Sequence, residues 1–369
     1  MNACFIQQTI ILLMAGAISF LGGCGNDDEG KPAQTPGKQA FRPLEKKLLI
    51  AGPPATLPTA NPFLDQSGEA PKTILTLEGH EDPMIHDLAM TPDGLYLLSA
   101  GYGDFTVRLW SAESGELLDT HKIGNRPNSI AILPNGETAI VSDVYNNLMT
   151  LKIEEERLIQ TGSKKIDAVS AGAFRIAASP SGSLLAAACF DKKLLLIETK
   201  TLTVTRDIPT LNELHAAVFS PDGKLVAASG SGNQFTIWDL ATGWEDSYAV
   251  RKVAPDSFCY RLAFSPDGSL LATVHNESTI SIWNVAERKE IHNWYVNDAG
   301  AMAVAFTPDG KVLSTAQSGK GFYFWETATK RQLFFLPADP GQTPDILFSP
   351  DGTKLITCDN EKVIRIWSH

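Results

Sequence analysis

A Pro-x-Gly turn returns seven times along this chain, with prolines at Pro92, Pro134, Pro180, Pro221, Pro266, Pro308 and Pro350, between 41 and 46 residues apart. Units of that size cannot bury an apolar face alone, so they must stack against one another as a ring or an open array. The fourth repeat is the cleanest copy: His215-Ala-Ala-Val-Phe-Ser-Pro-Asp-Gly223, Lys224-Leu-Val-Ala-Ala-Ser229 and Gln234-Phe-Thr-Ile-Trp-Asp239. Each run is short, rich in β-branched, aromatic and small apolar residues, and bounded by Gly, Pro, Asp or Ser, which reads as strands joined by hairpins. Proline presets the backbone for the turn and glycine accepts a positive φ there. A fourth strand fits after the tryptophan, as in Ser247-Tyr-Ala-Val250.

These residues resemble the WD-repeat family of β-propellers over roughly 72–369. The Trp-Asp position is met by Trp110-Ser111, Trp238-Asp239, Trp283-Asn284, Trp325-Glu326 and Trp367-Ser368, and Gly79-His80 precedes the first repeat. Lys152 and Glu198 are aligned with that tryptophan in repeats two and three. The family's acid ahead of the tryptophan is present as Asp104, with Glu277 and Glu361 as near substitutes, so its buried hydrogen-bond network is expected to be incomplete. Repeat two, beginning Asn125-Arg-Pro-Asn-Ser-Ile-Ala-Ile, looks more like a lactonase-type propeller. The resemblance implies an all-β, seven-bladed propeller of four-stranded antiparallel blades. Its last blade stops at the third strand, and Lys72-Thr-Ile-Leu-Thr-Leu77 is the spare strand expected to complete it and close the ring.

Three segments are expected: a signal peptide over 1–23, a lipidated Cys24 with a Pro-rich tether over 24–71, and the propeller over 72–369. The apolar run from Thr9 to Leu21 is short for a membrane span and suits a secretory signal. Leu21-Gly-Gly-Cys24 resembles the lipobox of bacterial lipoproteins, which implies acyl chains on Cys24 and a chain anchored to a bacterial membrane, facing the periplasm or exterior. Met1 to Gln8 carries no Lys or Arg, so plain secretion and an uncleaved anchor stay open beside lipidation. The remaining thiols, Cys189, Cys259 and Cys358, are odd in number and read as buried and unpaired.

Net charge of −11 argues against nucleic acid as a partner. No Cys-x-x-Cys-His, paired zinc motif or Gly-x-Ser-x-Gly elbow is present, so neither a cofactor nor a catalytic residue is expected. Ser229-Gly-Ser-Gly232 lies between two strands and reads as a loop. His80, His86 and His215 fall where the family uses structural histidines, whereas His275 ends a strand and is the one open to a surface role. The lactonase resemblance would have Asn125, Asn128, Asp143 and Asn146 contribute to a divalent cation.

In the family, partners dock on the face opposite the Pro-x-Gly turns. By that resemblance the candidates here are Tyr102, Asp104, Arg126, Tyr145, Asn146, Arg175, Phe190, Lys192, Phe258, Arg261, His275, Trp294, Tyr295 and Lys320. Aromatics and arginines are the types that dominate binding hot spots. The opposite face, with its turn aspartates and Glu154-Glu155-Glu156, is expected to be the more acidic. The expected function is a monomeric scaffold binding a protein or peptide at the cell envelope. A lactonase-like metal enzyme and a TolB-like assembly factor are the alternatives.

Overall fold

The computed structural model describes residues 71–368 apart from 82–83, 171–172, 244, 250–256, 297–299, 338–344 and 359–361. The expected signal, Cys24 and the tether lie outside the described residues, as does Glu361. Twenty-eight strands, numbered in chain order, form seven four-stranded antiparallel sheets. Blade one runs from the inside outward as β2 (Ile85–Met90), β3 (Tyr96–Gly101), β4 (Thr106–Ser111) and β5 (Leu117–Lys122). The inner strands of the later blades are β6 (Pro127–Ile132), β10 (Ala173–Ala178), β14 (Leu214–Phe219), β18 (Cys259–Phe264), β22 (Ala301–Phe306) and β26 (Ile346–Phe348). Each inner strand neighbours the next, and β26 returns to β2, so the seven enclose a central channel.

Burial follows from this radial order. The second and third strands of a blade are covered on both faces by adjacent blades, so β3 and β4 are buried almost throughout. The outermost β5 mixes exposed and half-buried positions, because one side meets water. The core is therefore not one cluster but one between each pair of blades. Trp110 packs with Leu77, Ile364 and Ile366 across the seam between blades seven and one. Trp238, Trp283, Trp325 and Trp367 do the same in blades four to seven.

Strand register corrects the reading of blades two and three. Leu97 pairs with Trp110, and the equivalent pairs are Ala139 with Leu151 and Leu185 with Ile197. Leu151 and Ile197 thus hold the tryptophan position, both buried, while Lys152 and Glu198 take the following, outward one. The fourth strand of blade four covers Glu245–Ala249, two residues ahead of the expected start.

The ring closes as expected. β1 (Lys72–Glu78) pairs antiparallel with β28 (Val363–Ser368), from Lys72 opposite Ser368 to Glu78 opposite Val363. On the turn face a second ring forms: a Cβ on Gly136, Gly223, Gly268 or Gly310 would lie 3.5–3.6 Å from the turn proline of the preceding blade. Gly94 meets Pro350 in the same way, carrying the contact across the seam.

Candidate functional site

Strands two and four of each blade end on the face opposite the Pro-x-Gly turns, which gathers the loops between strands two and three and the links between blades. Each loop is fastened to the link before it, by chemistry that varies between blades. In blade one Trp110 Nε1 donates to Ser99 Oγ (2.8 Å), Ser99 meets His80 Nε2 (2.7 Å), and His80 Nδ1 meets Asp104 Oδ2 (2.7 Å). Burial opposes charge on Asp104, but the bonds from His80, Thr106 and the Glu81 N–H outweigh it and hold the carboxyl well below its usual range.

Among the described residues no other blade shows the whole of this chain, and blades two, three and five use substitutes. Asp143 accepts from Asn125 Nδ2 (3.1 Å), Asn147 Nδ2 (2.7 Å) and the Tyr145 N–H (2.8 Å) in blade two. Asp191 accepts from the N–H of Ser170 (2.9 Å) in blade three, and Asn276 from that of Phe258 (2.9 Å) in blade five. In blade five it is therefore Asn276, not the exposed Glu277, that does the work of Asp104.

Several expected face residues do reach solvent there. Tyr145 is 56% and Tyr295 58% exposed, joined by Phe105 at 41% and by Leu211 at 83%. These three rings are the exposed aromatics among the described residues, and all lie on this face. Arg126 is exposed with its guanidinium 5.0 Å above the Tyr102 ring, and Tyr102 stacks on His86 at 4.0 Å. Lys192 and Lys320 are exposed at loop tips. Asn146 donates Nδ2 to Val169 O (2.9 Å) from a left-handed backbone. Trp294 is half-buried, edge-on to Trp325, and with Tyr295 lines a surface pocket of about 380 Å³ shared with Glu277, Thr279 and Asn293.

Around the channel mouth, Phe190, His215, Phe258 and Tyr260 form a second aromatic group spanning blades three to five, with centroids 5.5–6.4 Å apart. His215 and Tyr260 belong to inner strands, and nothing in the loop pattern of the repeats singles out Tyr260.

Four expected face residues are placed elsewhere. Asp104 is inside the blade-one network with its side chain 3% exposed. His275 is fully buried, and burial lowers its pKa to about 3, so it cannot serve as a surface group. Arg175 and Arg261 are on inner strands β10 and β18 and reach into the channel, where Arg175 pairs with Asp87 and lies 3.8 Å from Asp345. His80 and His86 are buried as expected, and burial drives His86 and His215 down to about 4. Cys189, Cys259 and Cys358 are buried free thiols, and burial raises Cys189 and Cys259 to about 12.

Among the described residues no three His, Cys, Asp or Glu side chains gather as metal ligands. Asn125 and Asp143 bond to each other, while Asn128 meets His86 (3.1 Å) and Asn146 turns to a backbone carbonyl, so the four candidates do not converge.

Comparison with known proteins bears on four blades directly. The family profile "WD domain, G-beta repeat" matches residues 71–111, 210–239, 250–284 and 342–368, which are blades one, four, five and seven with the closing strand. The chain is 26% identical over 169 residues to meiotic recombination protein rec14 of Schizosaccharomyces pombe, covering 43% of this chain and 52% of that protein. It is 24% identical over 175 residues to a WD repeat-containing protein WDS homolog of Arabidopsis thaliana, covering 46% and 32%. Autophagy-related protein 16 of Arabidopsis thaliana is 23% identical over 189 residues, covering 50% and 36%. The chain thus spans about half or less of these relatives' lengths.

Proposed function

We propose that this chain, a member of the WD-repeat propeller family, is a non-catalytic scaffold that docks a protein or peptide across the face opposite its Pro-x-Gly turns. The observation that carries this reading is the segregation of exposed aromatics: Phe105, Tyr145 and Tyr295 all lie on that face. Solvent-facing rings beside Arg126 supply rigid apolar area and a charge handle at low entropic cost. The loops beneath them are pinned by Asp104, Asp143, Asp191 and Asn276, so the surface is pre-organised and little ordering is needed on binding.

The finer part concerns location. The lipobox-like Leu21-Gly-Gly-Cys24 supports an acylated Cys24 that holds the propeller at a bacterial cell envelope, with residues 25–71 setting its reach. Two experiments test the two parts separately. Affinity capture from envelope membranes compares wild type with Arg126→Glu/Tyr145→Ala/Tyr295→Ala of matched thermal midpoint. A partner lost only in the variant supports the docking face, and a partner retained at equal yield overturns it. Cys24→Ser is expected to move the protein to the soluble fraction, and persistence with membranes would rule out the lipid anchor.

A further inference from the structure

Between the second and third strands of six blades, one residue adopts a left-handed backbone five positions before the tryptophan or its substitute. These residues are Phe105 (φ 59°), Asn146 (68°), Lys192 (62°), Asn233 (56°), Ser278 (56°) and Lys362 (68°), while blade six turns at Gly319 instead. The conformation is thus imposed by the blade and not by the side chain. In blade one the surrounding hydrogen bonds fix it. The Thr106 N–H and hydroxyl both donate to Asp104 Oδ1 (3.2 and 2.8 Å), and the Phe105 carbonyl accepts from the Ile123 N–H (2.9 Å). Asparagine suits this region through its short polar side chain, whereas a bulky ring is strained there.

Phe105 recovers none of that strain within the fold. It is 41% exposed, belongs to neither apolar cluster at the seams of blade one, and joins no aromatic pair among the described residues. A single exposed apolar side chain needs no explanation by itself. Strain and exposure on one residue, at a position that five other blades fill with asparagine, lysine or serine, point to a contact made outside the molecule.

The surroundings give that contact its chemistry. Lys122 pairs across the strands with Thr106, and Arg126 ends the link that begins at Ile123. Both are exposed, and neither has an ion pair among the described residues. The loop's own acid, Asp104, is inside the blade-one network with its side chain 3% exposed. Glu81 adds an exposed carboxylate, offset by Lys362, whose Nζ donates to the Glu81 carbonyl. In a chain of net charge −11 this corner is locally basic.

We propose that Phe105 is the anchor of the docking face and inserts into an apolar pocket, rimmed by carboxylates, on a folded protein partner, a role that rests on that face being the docking surface. Lys122 and Arg126 flank the ring and meet the rim. A ring filling a pocket, with charges around it that exclude water, is the usual form of a binding hot spot. Because Asp104 already fixes the loop, the ring is presented without further ordering.

The test uses the full-length protein in its own envelope membranes. A photo-crosslinking p-benzoylphenylalanine is placed at Phe105, at Tyr145 or, on the turn face, at Leu95, and each adduct is mapped by mass spectrometry. One protein should be crosslinked from both Phe105 and Tyr145 but not from Leu95, and the Phe105 adduct should lie in an apolar pocket bordered by Asp or Glu. Phe105→Asn is then combined with the Tyr145 probe. It should raise the thermal midpoint by about 1–3 °C by relieving the backbone. The same change should cut the Tyr145 adduct about thirtyfold, the size of a hot-spot residue. Phe105→Trp, which keeps a ring, should retain the adduct without a gain in midpoint. A Tyr145 adduct undiminished by Phe105→Asn, or a midpoint that falls, overturns the proposal and leaves the docking face standing. So does a Phe105 adduct formed with lipid or with a second copy of this chain while Tyr145 marks another protein. No adduct to another protein from either position overturns the docking face as well.

Discussion

Ser99 joins two buried groups, accepting from Trp110 Nε1 and meeting His80 Nε2. Ser99→Ala leaves both unsatisfied in a site where water cannot replace the hydroxyl, and an expected loss of about 2–4 kcal/mol follows from two such groups. Urea unfolding measures it, and a loss below about 0.5 kcal/mol would show that blade one does not depend on the network. Glycine supplies a second residue-scale contrast. Gly182 has φ 70° and a Cβ there would lie 2.9 Å from Pro134 Cδ, whereas Gly243 has φ 69° with nothing within 4 Å. Both alanine variants meet backbone strain of about 1 kcal/mol, but Gly182→Ala should be the worse by a further 1 kcal/mol or more because the turn ring cannot part locally. Equal losses would mean that the Pro–Gly contacts carry no load. His80, Asp104 and Trp110 were legible as a set through the resemblance to the WD-repeat family. The error at Lys152 and Glu198 arose because the stretch from Pro92 to Trp110 is one residue longer than its counterparts, and counting from it shifts the other blades by one.

At the scale of strands, alternation and length were enough to find the blades, because buried second and third strands write continuous apolar runs. The inner strands were harder. Their bulges reverse the side-chain order by one position, so periodicity could not tell that Arg175 and Arg261 turn inward from loop-adjacent sites. The closing strand was readable, since a last repeat short of one strand and a spare strand upstream have one economical pairing. Its energetic role is testable. Leu77 is 1% exposed in the seam cluster while Ile74, on the same strand, is 47% exposed. Leu77→Ala should therefore cost about 2–5 kcal/mol and Ile74→Ala less than about 1 kcal/mol. Matching losses would indicate that β1 does not hold the ring shut.

Over the whole molecule, stability should depend on pH through a few buried groups. Burial lowers His86 and His215 to about 4 and His275 to about 3, from 6.5. Between about pH 4 and 6.5 the unfolded chain binds these three protons and the folded one does not, so they make stability rise with pH. Asp345 acts oppositely: raised from 3.8 to about 8, it holds a proton when folded that the unfolded chain has released. It subtracts one proton from the rising slope below 6.5 and, acting against no histidine above it, lowers stability from there to about 8. A maximum near pH 6.5 is expected, with a decline of about 1 kcal/mol per pH unit on the alkaline side. Urea midpoints between pH 4 and 9 would show it. Asp345→Asn, which keeps an acceptor for the Leu88 N–H, should flatten the alkaline limb, and an unchanged limb would exclude Asp345 as its cause.

The sequence by itself determined the repeat, the number of blades, the turn chemistry, the closing strand and the burial of the cysteines, because each depends on patterns within one repeat or on counting repeats. Tertiary structure alone decided which residues meet. Asp87, Arg175, Arg261 and Asp345 stand about 85 residues apart along the chain and come together only because closure sets one position of every inner strand at one level. The aromatic mouth and the ring of turn prolines likewise exist between blades rather than within them. A period in sequence specifies a unit and its count, but contacts across a closed ring depend on the bulges and registers that fix how each unit is turned.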